Sequence, residues 1–138
     1  MVTINNISDC KRVVIKIGSS LVTNNSNDID KKFLDSISSD IQNLHKQNKE
    51  VILVSSGAVA LGNRNKNKKK LSLSESQAAS SVGQIKLING WENALKNKGI
   101  QIAQILITAE DTENRRRYLN ARATFEELLK EDRKSTRL

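Results

Sequence analysis

Apolar residues fall in short continuous runs, separated by longer segments in which they recur every three or four positions. The first run, 12–17, reads Arg-Val-Val-Ile-Lys-Ile and leads into the small-residue turn 18–20. The second run, 51–54, leads into a similar turn over 55–58. Short apolar runs that are rich in β-branched residues predict buried strands. A third run, 100–108, predicts a third strand on the same grounds.

The segments between these runs have the apolar spacing of helices. A first helix is predicted from Asp30, with either Asp28 or Asp30 as its cap. A second is predicted from Ser74 to Gly99, and a third over 114–130. The residues predicted to face inward are Phe33, Leu34, Ile37, Ile41 and Leu44 on the first helix, Ala78, Val82, Ile85, Ile88 or Asn89, Trp91 and Leu95 on the second, and Tyr118, Ala121, Phe125, Leu128 and Leu129 on the third.

The alternation of strand and helix favours an α/β fold. Continuous apolar strands are typical of a parallel sheet that helices cover on both faces. We therefore predict a three-layer αβα sandwich with a mainly parallel sheet. Three strands are few for such a sheet, and the pattern stops after a helix, so we expect an incomplete part of a larger domain.

The composition excludes several classes of protein. Aromatic residues make up only 3% of the chain, so the core must be aliphatic. Cys10 is the single cysteine, which excludes an internal disulfide or a multi-cysteine metal site and fits a reducing compartment. No apolar run approaches the ~20 residues that span a bilayer. We expect a cytoplasmic protein with no membrane partner.

The formal net charge of +8 raises the question of a polyanionic partner. Five positive charges lie in the segment 64–70, within the sequence NRNKNKKK at 63–70, which we call the basic loop. It has no aromatic residue, whereas proteins that bind single strands use aromatic stacking platforms. We favour a solvated loop and do not expect nucleic acid as a partner. A small basic nucleic-acid-binding module remains the alternative.

The strand ends carry the candidate chemistry. Ligands of an open parallel sheet bind beyond the carboxyl ends of the strands, and glycine-containing turns allow close backbone approach. The turns 18–20 and 55–58, side by side, therefore predict one anion-binding site. Lys16 lies two residues before Gly18. It either contacts a phosphate or snorkels from the strand end. Neither the Walker pattern nor G-x-G-x-x-G is present.

Four motifs occur in a fixed order: VVIKIGSS at 13–20, VILVSSGAVA at 51–60, AASSVGQ at 78–84 and RYLNAR at 117–122. In this order they resemble the N-terminal part of the glutamate 5-kinase branch of the amino acid kinase family. The resemblance implies that the intact protein phosphorylates the γ-carboxylate of L-glutamate with ATP and Mg²⁺, the first step of proline biosynthesis. Another family member with a different acceptor is the alternative.

The resemblance also implies roles for individual residues. Lys16 matches the family's catalytic lysine, which contacts the ATP phosphates. No protein ligand to a metal is implied, since Mg²⁺ is held by phosphate oxygens and water. The other residues with implied roles are Gly18 and Ser19 in the phosphate-facing turn, and Ser56, Gly57 and Ala58 at the glutamate site.

The resemblance covers residues 12 to about 131, so we expect 1–131 to be the N-terminal part of an amino acid kinase domain. Segments that complete the family's substrate and nucleotide sites do not follow, and we expect this chain alone to be inactive. The intact protein is expected to be a homo-oligomer. Residues 132–138 are polar where the family has an apolar strand. Their sequence is also the translation of a common sequencing-adapter sequence, so we expect 132–138 to be a non-native tail. A divergent, truncated gene is the alternative.

Acidic residues after the third apolar run are a further candidate. Glu110, Asp111 and Glu113 either assist Mg²⁺ or stabilise the start of the last helix, and we favour the second interpretation.

Overall fold

Two parallel strands form the sheet in the computed structural model, which describes residues 6–135 and side chains as far as residue 131. Strand β1 spans Arg12–Ile17 and strand β2 spans Glu50–Ser55. Their register places Lys16 beside Val54 and Ile17 beside Ser55. Both strands coincide with predicted apolar runs, so the α/β class and the parallel sheet are confirmed.

The chain divides into two compact units, residues 1–100 and 101–138. In the first unit, a short 3₁₀ turn, Ile7–Asp9, precedes β1. The helices of this unit are α1 (Ser19–Val22), α2 (Lys31–Lys46), α3 (Ala58–Gly62) and α4 (Leu73–Lys96). The basic loop connects α3 to α4 and has no regular secondary structure.

Asp30 decides where α2 begins. Its carboxylate accepts a hydrogen bond from the backbone N–H of Phe33 at 3.0 Å, which satisfies one of the unpaired donors of the first helical turn. Of the two predicted caps, Asp30 is therefore the one in use. Leu34 and Ile41 of the predicted inward face are buried, and α2 packs against both β2 and α4.

The core of the first unit is aliphatic, with Trp91 as the one aromatic side chain that is buried among the described residues. The predicted inward face of α4 is wrong at Ala78, Val82 and Ile85. Val82 and Ile85 are 38% and 64% exposed. The buried positions of α4 are Ala79, Gly83, Leu87, Trp91 and Leu95. This face carries small residues because α3 packs closely on it, and small residues contribute little to an apolar pattern.

The second unit contains no strand among its described residues. Residues 101–107 are irregular, and they are followed by α5 (Ala109–Glu113) and α6 (Arg115–Ser135). The predicted third strand is therefore wrong: an apolar run forms a strand only where a neighbouring strand completes its hydrogen bonds, and none of the described residues does so here. Leu106 is accordingly 74% exposed.

Helix α6 matches the predicted last helix, with Asn114 as its cap. The Asn114 side chain accepts hydrogen bonds from the N–H groups of Arg116 and Arg117. Leu129 is buried, whereas Tyr118, predicted to face inward, is 47% exposed. The helix runs on to Ser135, and residues 136–138 of the expected tail lie outside the described residues. No helix within residues 6–135 has the length and apolar character of a membrane span.

Candidate functional site

The carboxyl ends of β1 and β2 are joined directly. The backbone N–H of Ser56, just after β2, donates a hydrogen bond of 2.9 Å to the carbonyl of Ile17 at the end of β1. The turns that follow the two strands, 18–20 and 55–58, therefore begin side by side. This is the arrangement that the sequence predicts for an anion-binding site.

The first turn exposes its backbone. Gly18 precedes α1 with extended backbone angles, and its carbonyl accepts from the N–H of Leu21 at 3.2 Å. A Cβ built on Gly18 meets no described atom within 4 Å. Gly18 therefore borders open space, and Ser19 follows it with an exposed side chain.

The second turn depends on glycine. Gly57 has a φ of +126°, a conformation that L side chains rarely adopt. A Cβ at this buried position would lie 3.4 Å from Val22 Cγ1 and 3.8 Å from Leu87 Cδ1. The backbone of the turn is thus packed between α1 and α4, and α3 begins at the next residue, Ala58.

A hydrogen bond to α4 also positions this turn. The indole N–H of Trp91 donates to Ser55 Oγ at 3.0 Å, and the Ser55 hydroxyl in turn donates to the carbonyl of Ser56 at 3.1 Å. The Ser56 hydroxyl itself makes no hydrogen bond with the described residues. It is therefore free to bind a ligand.

A cleft of about 660 Å³ lies along the second turn. It brings together four of the six residues with implied roles: Ser19, Ser56, Gly57 and Ala58. Lys16 and Gly18 do not line it. The Lys16 side chain is exposed and makes no hydrogen bond or ion pair with the described residues. Its contact with phosphate, and the roles of the other five residues, stay predictions.

The basic loop forms part of the cleft, which the sequence interpretation missed. Lys66, Lys68 and Lys69 line the cleft beside the second turn. Residues 64–70 are exposed to solvent, as predicted, and the loop is also held by hydrogen bonds. Lys66 donates to the carbonyl of Ser26, and the Asn63 amide contacts the carbonyl of Lys68 at 3.4 Å.

Glu75 fixes the far end of the loop. Its carboxylate accepts from Lys68 Nζ at 2.7 and 2.9 Å and from the backbone N–H of Ser72 at 2.8 Å. The Ser72 hydroxyl accepts from the N–H of Glu75, which completes a capping box. The hydrogen bonds from Lys68, and next those from Ser72, lower the pKa of Glu75 from 4.5 to about 2. The spacing of Ser72 and Glu75 is a signal that the sequence offered.

Two of the three acidic candidates in the second unit have structural partners. Asp111 accepts from the N–H and hydroxyl of Thr108 at 2.6 and 2.9 Å, and the backbone hydrogen bond is the main cause of its lowered pKa. Glu110 pairs with Arg117 at 2.9 Å. Asp111 therefore stabilises the start of the short helix α5, whereas the start of the last helix, α6, is capped by Asn114. Among the described residues, no group of three His, Cys, Asp or Glu side chains is arranged to hold a metal ion.

Known proteins resemble this chain along most of its length. A model described as the amino acid kinase family matches residues 11–135. The chain is 52% identical over 126 residues to a glutamate 5-kinase of Ruegeria sp., covering 89% of this chain and 34% of the relative. Glutamate 5-kinases of Pelagibacter ubique and Paramagnetospirillum magneticum are 49% and 46% identical, each covering 90% of the chain and 34% of the relative. The chain thus spans about a third of the length of these relatives.

Proposed function

The chain belongs to the amino acid kinase family, and we propose that it carries the turns with which a kinase transfers the terminal phosphoryl group of ATP to the γ-carboxylate of L-glutamate. The observation that carries the proposal is the junction of two glycine-containing turns through the 2.9 Å hydrogen bond from Ser56 to Ile17. The names of the relatives supply the acceptor, since they are glutamate 5-kinases.

The proposed reaction is a single displacement at phosphorus. An oxygen of the γ-carboxylate forms a bond to the γ-phosphorus of ATP as the bond from that phosphorus to the bridging oxygen of ADP breaks. The products are γ-glutamyl phosphate and ADP. Such a transfer requires alignment and charge neutralisation more than covalent participation by the protein.

The first turn suits the phosphate groups. Gly18 borders open space, so phosphate oxygens can approach its backbone. Lys16, on the strand that enters this turn, has an ammonium group with no partner among the described residues. We assign to it the neutralisation of charge on the transferring group. When bound, Mg²⁺ adds further neutralisation, held by phosphate oxygens and water.

The second turn suits the acceptor. The Ser56 hydroxyl lines the cleft without another partner among the described residues. Gly57 and Ala58 bring their backbone to the same wall. We propose that these three residues bind and orient glutamate, so that its γ-carboxylate faces the phosphates at the first turn.

Further proposals concern the intact enzyme, of which this chain would be a part. We propose that it catalyses the first step of proline biosynthesis in the cytoplasm as a homo-oligomer. We also propose that the 138-residue chain has no kinase activity alone, because it spans about a third of the relatives' length.

A chimera tests the activity. Residues 11–131 replace the matched segment of the Ruegeria glutamate 5-kinase, and hydroxylamine traps any acyl phosphate that forms. We expect ATP-dependent product with L-glutamate and little with L-aspartate or N-acetyl-L-glutamate. A folded chimera that yields no acyl phosphate, or that prefers another acceptor, would contradict the proposed function. Product from the 138-residue chain alone would contradict its proposed inactivity.

A further inference from the structure

The cleft beside the second turn is positively charged. Three lysines of the basic loop line it, Lys66, Lys68 and Lys69, and its lining includes no acidic side chain. The proposed acceptor residues, Ser56 to Ala58, lie in the same cleft. An anionic ligand in the cleft would therefore meet both the turn and the lysines.

Two of these lysines already have acidic partners. Lys68 binds both oxygens of Glu75, at 2.7 and 2.9 Å. Lys66 lies 3.7 Å from Asp28 and also donates to a backbone carbonyl. Their positive charge is thus largely compensated within the protein.

Lys69 differs from its neighbours. Among the described residues, no group forms a hydrogen bond or ion pair with its side chain. The chain is nevertheless anchored on either side of it, because Lys68 donates its backbone N–H to Asn65 and its ammonium group to Glu75, and Ser72 belongs to the capping box of α4. A cationic group between anchored neighbours has less conformational entropy to lose when it binds an anion. Lys69 thus presents an uncompensated charge to the cleft.

We propose that Lys69 is a further substrate-binding residue, whose ammonium group holds the α-carboxylate of the amino acid acceptor. This inference rests on the proposed function. The γ-carboxylate must keep a lone pair available for attack on phosphorus, whereas the α-carboxylate stays charged throughout the reaction. A charge-assisted hydrogen bond from lysine suits that second, unreactive carboxylate.

The position of Lys69 favours the acceptor over the nucleotide. Lys69 shares the cleft with all three proposed acceptor residues, whereas of the three residues implied to contact the ATP phosphates only Ser19 lines it, and Lys16 and Gly18 do not. A nucleic-acid role is less suited, because the basic loop has no aromatic residue on which a base could stack.

Titrations of the ¹⁵N-labelled 138-residue chain test this inference. The amide signals of Ser56 and Gly57 are followed as L-glutamate, L-glutamine, 4-aminobutyrate or Mg-ATP is added. Glutamine retains the α-carboxylate and lacks the γ-carboxylate, and 4-aminobutyrate has the reverse. We expect Lys69→Ala to lower the affinity for glutamate and for glutamine about tenfold. The affinities for 4-aminobutyrate and for Mg-ATP should not change.

Two variants complete the design. Lys69→Arg retains the charge and should recover most of the affinity, which loss of a merely structural contact would not explain. Lys70→Ala removes a neighbouring charge that does not line the cleft, and should bind glutamate as the unmodified chain does. Dispersed amide spectra check that every variant is folded, and Lys69→Gln replaces Lys69→Ala if the alanine variant is not.

Several results would overturn the inference. These are equal affinities for the unmodified and Lys69→Ala chains, an effect confined to 4-aminobutyrate or Mg-ATP, or, if the unmodified chain binds no glutamate, an equal KM for glutamate in active chimeras with and without Lys69→Ala. Failure of the proposed function is recognised separately, as absence of acyl phosphate from the chimera. Lys69→Ala in an active chimera should also raise the KM for glutamate without changing the KM for ATP.

Discussion

Gly62 of α3 and Gly83 of α4 lie backbone to backbone. A Cβ built on either residue would come within 2.7 Å of the backbone nitrogen of the other. It would come closer still to a carbonyl oxygen, that of Ala79 or Ala58 respectively. Because α3 begins directly after Gly57, this contact fixes the second turn of the site against α4.

Replacing Gly83 tests that contact. Alanine is ordinarily the better residue inside a helix, by about 1 kcal/mol. Here the added methyl group must push apart two backbones, so we expect Gly83→Ala to lower the free energy of unfolding by about 3 kcal/mol. Urea unfolding measures the change. Gly18→Ala is the control, since its Cβ meets no described atom within 4 Å; equal stability of the two variants would contradict the close packing.

The extent to which the sequence determines the fold is clearest at the two strands. The runs 12–17 and 51–54 signal β1 and β2 because β-branched residues and small-residue turns are local features. The run 100–108 has the same composition and forms no strand in the described part of the chain, since pairing depends on a distant neighbour. The face of α4 was misplaced because a close helix contact selects glycine, which adds nothing to apolar periodicity.

The site was partly predictable for similar reasons. The two turns follow predicted strands, so their meeting at Ser56 and Ile17 follows from parallel pairing. The lysines of the cleft were missed because a charged loop has no periodic pattern, so its sequence does not show which surface of the protein its side chains line. The helix was predicted from Ser74, and the spacing of Ser72 and Glu75, which matches a capping box, would have indicated the helix start that fixes the end of the loop.

The hydrogen bond from Trp91 to Ser55 should contribute to stability. Trp91→Phe keeps most of the apolar volume and removes the indole donor, so we expect a loss of about 1 kcal/mol in the free energy of unfolding. A double-mutant cycle with Ser55→Ala measures the coupling, which should also be about 1 kcal/mol. Ser81→Ala, at an exposed hydroxyl on the same helix, is the control. Additive effects of Trp91→Phe and Ser55→Ala would rule out the bond as a stabilising contact.

Lys49 ties the 3₁₀ turn to the sheet. This buried side chain donates to the carbonyls of Ile7, Ser8 and Cys10 at 3.3, 2.8 and 2.5 Å. Lys49→Met leaves these carbonyls without their donor, and we expect a loss of about 2 kcal/mol. Thermal unfolding, with the exposed Lys32→Met as control, measures it. The expectation fails if the two methionine variants have the same stability.

The Glu75 carboxylate makes the stability of the protein depend on pH in the acidic range. Hydrogen bonds from Lys68 and Ser72 lower its pKa from 4.5 to about 2. A lowered pKa means that the ionised form is the stabilising one, so its contribution is fully present above pH 4.5 and is lost as the pH falls through about 2. We expect Glu75→Gln to lower the Tm at pH 6, with the difference shrinking towards pH 2.

Melting curves between pH 2 and pH 6 check this expectation. Glu92→Gln, on the exposed surface of the same helix, controls for the loss of one negative charge. A difference between Glu75→Gln and the unmodified chain that is constant over this range would contradict the role given to the bonds from Lys68 and Ser72.

Turnover by the chimera with Lys16 replaced tests the proposed phosphate site most directly. Lys16→Met keeps a similar volume and removes the ammonium group. If that group neutralises the transferring phosphoryl, kcat for acyl phosphate formation should fall about 100-fold, with the KM for glutamate changed less than about twofold. Lys32→Met, at an exposed lysine of α2, should leave both constants unchanged. A Lys16→Met chimera that turns over as fast as the Lys32→Met chimera would contradict the assignment of this strand end to phosphoryl transfer.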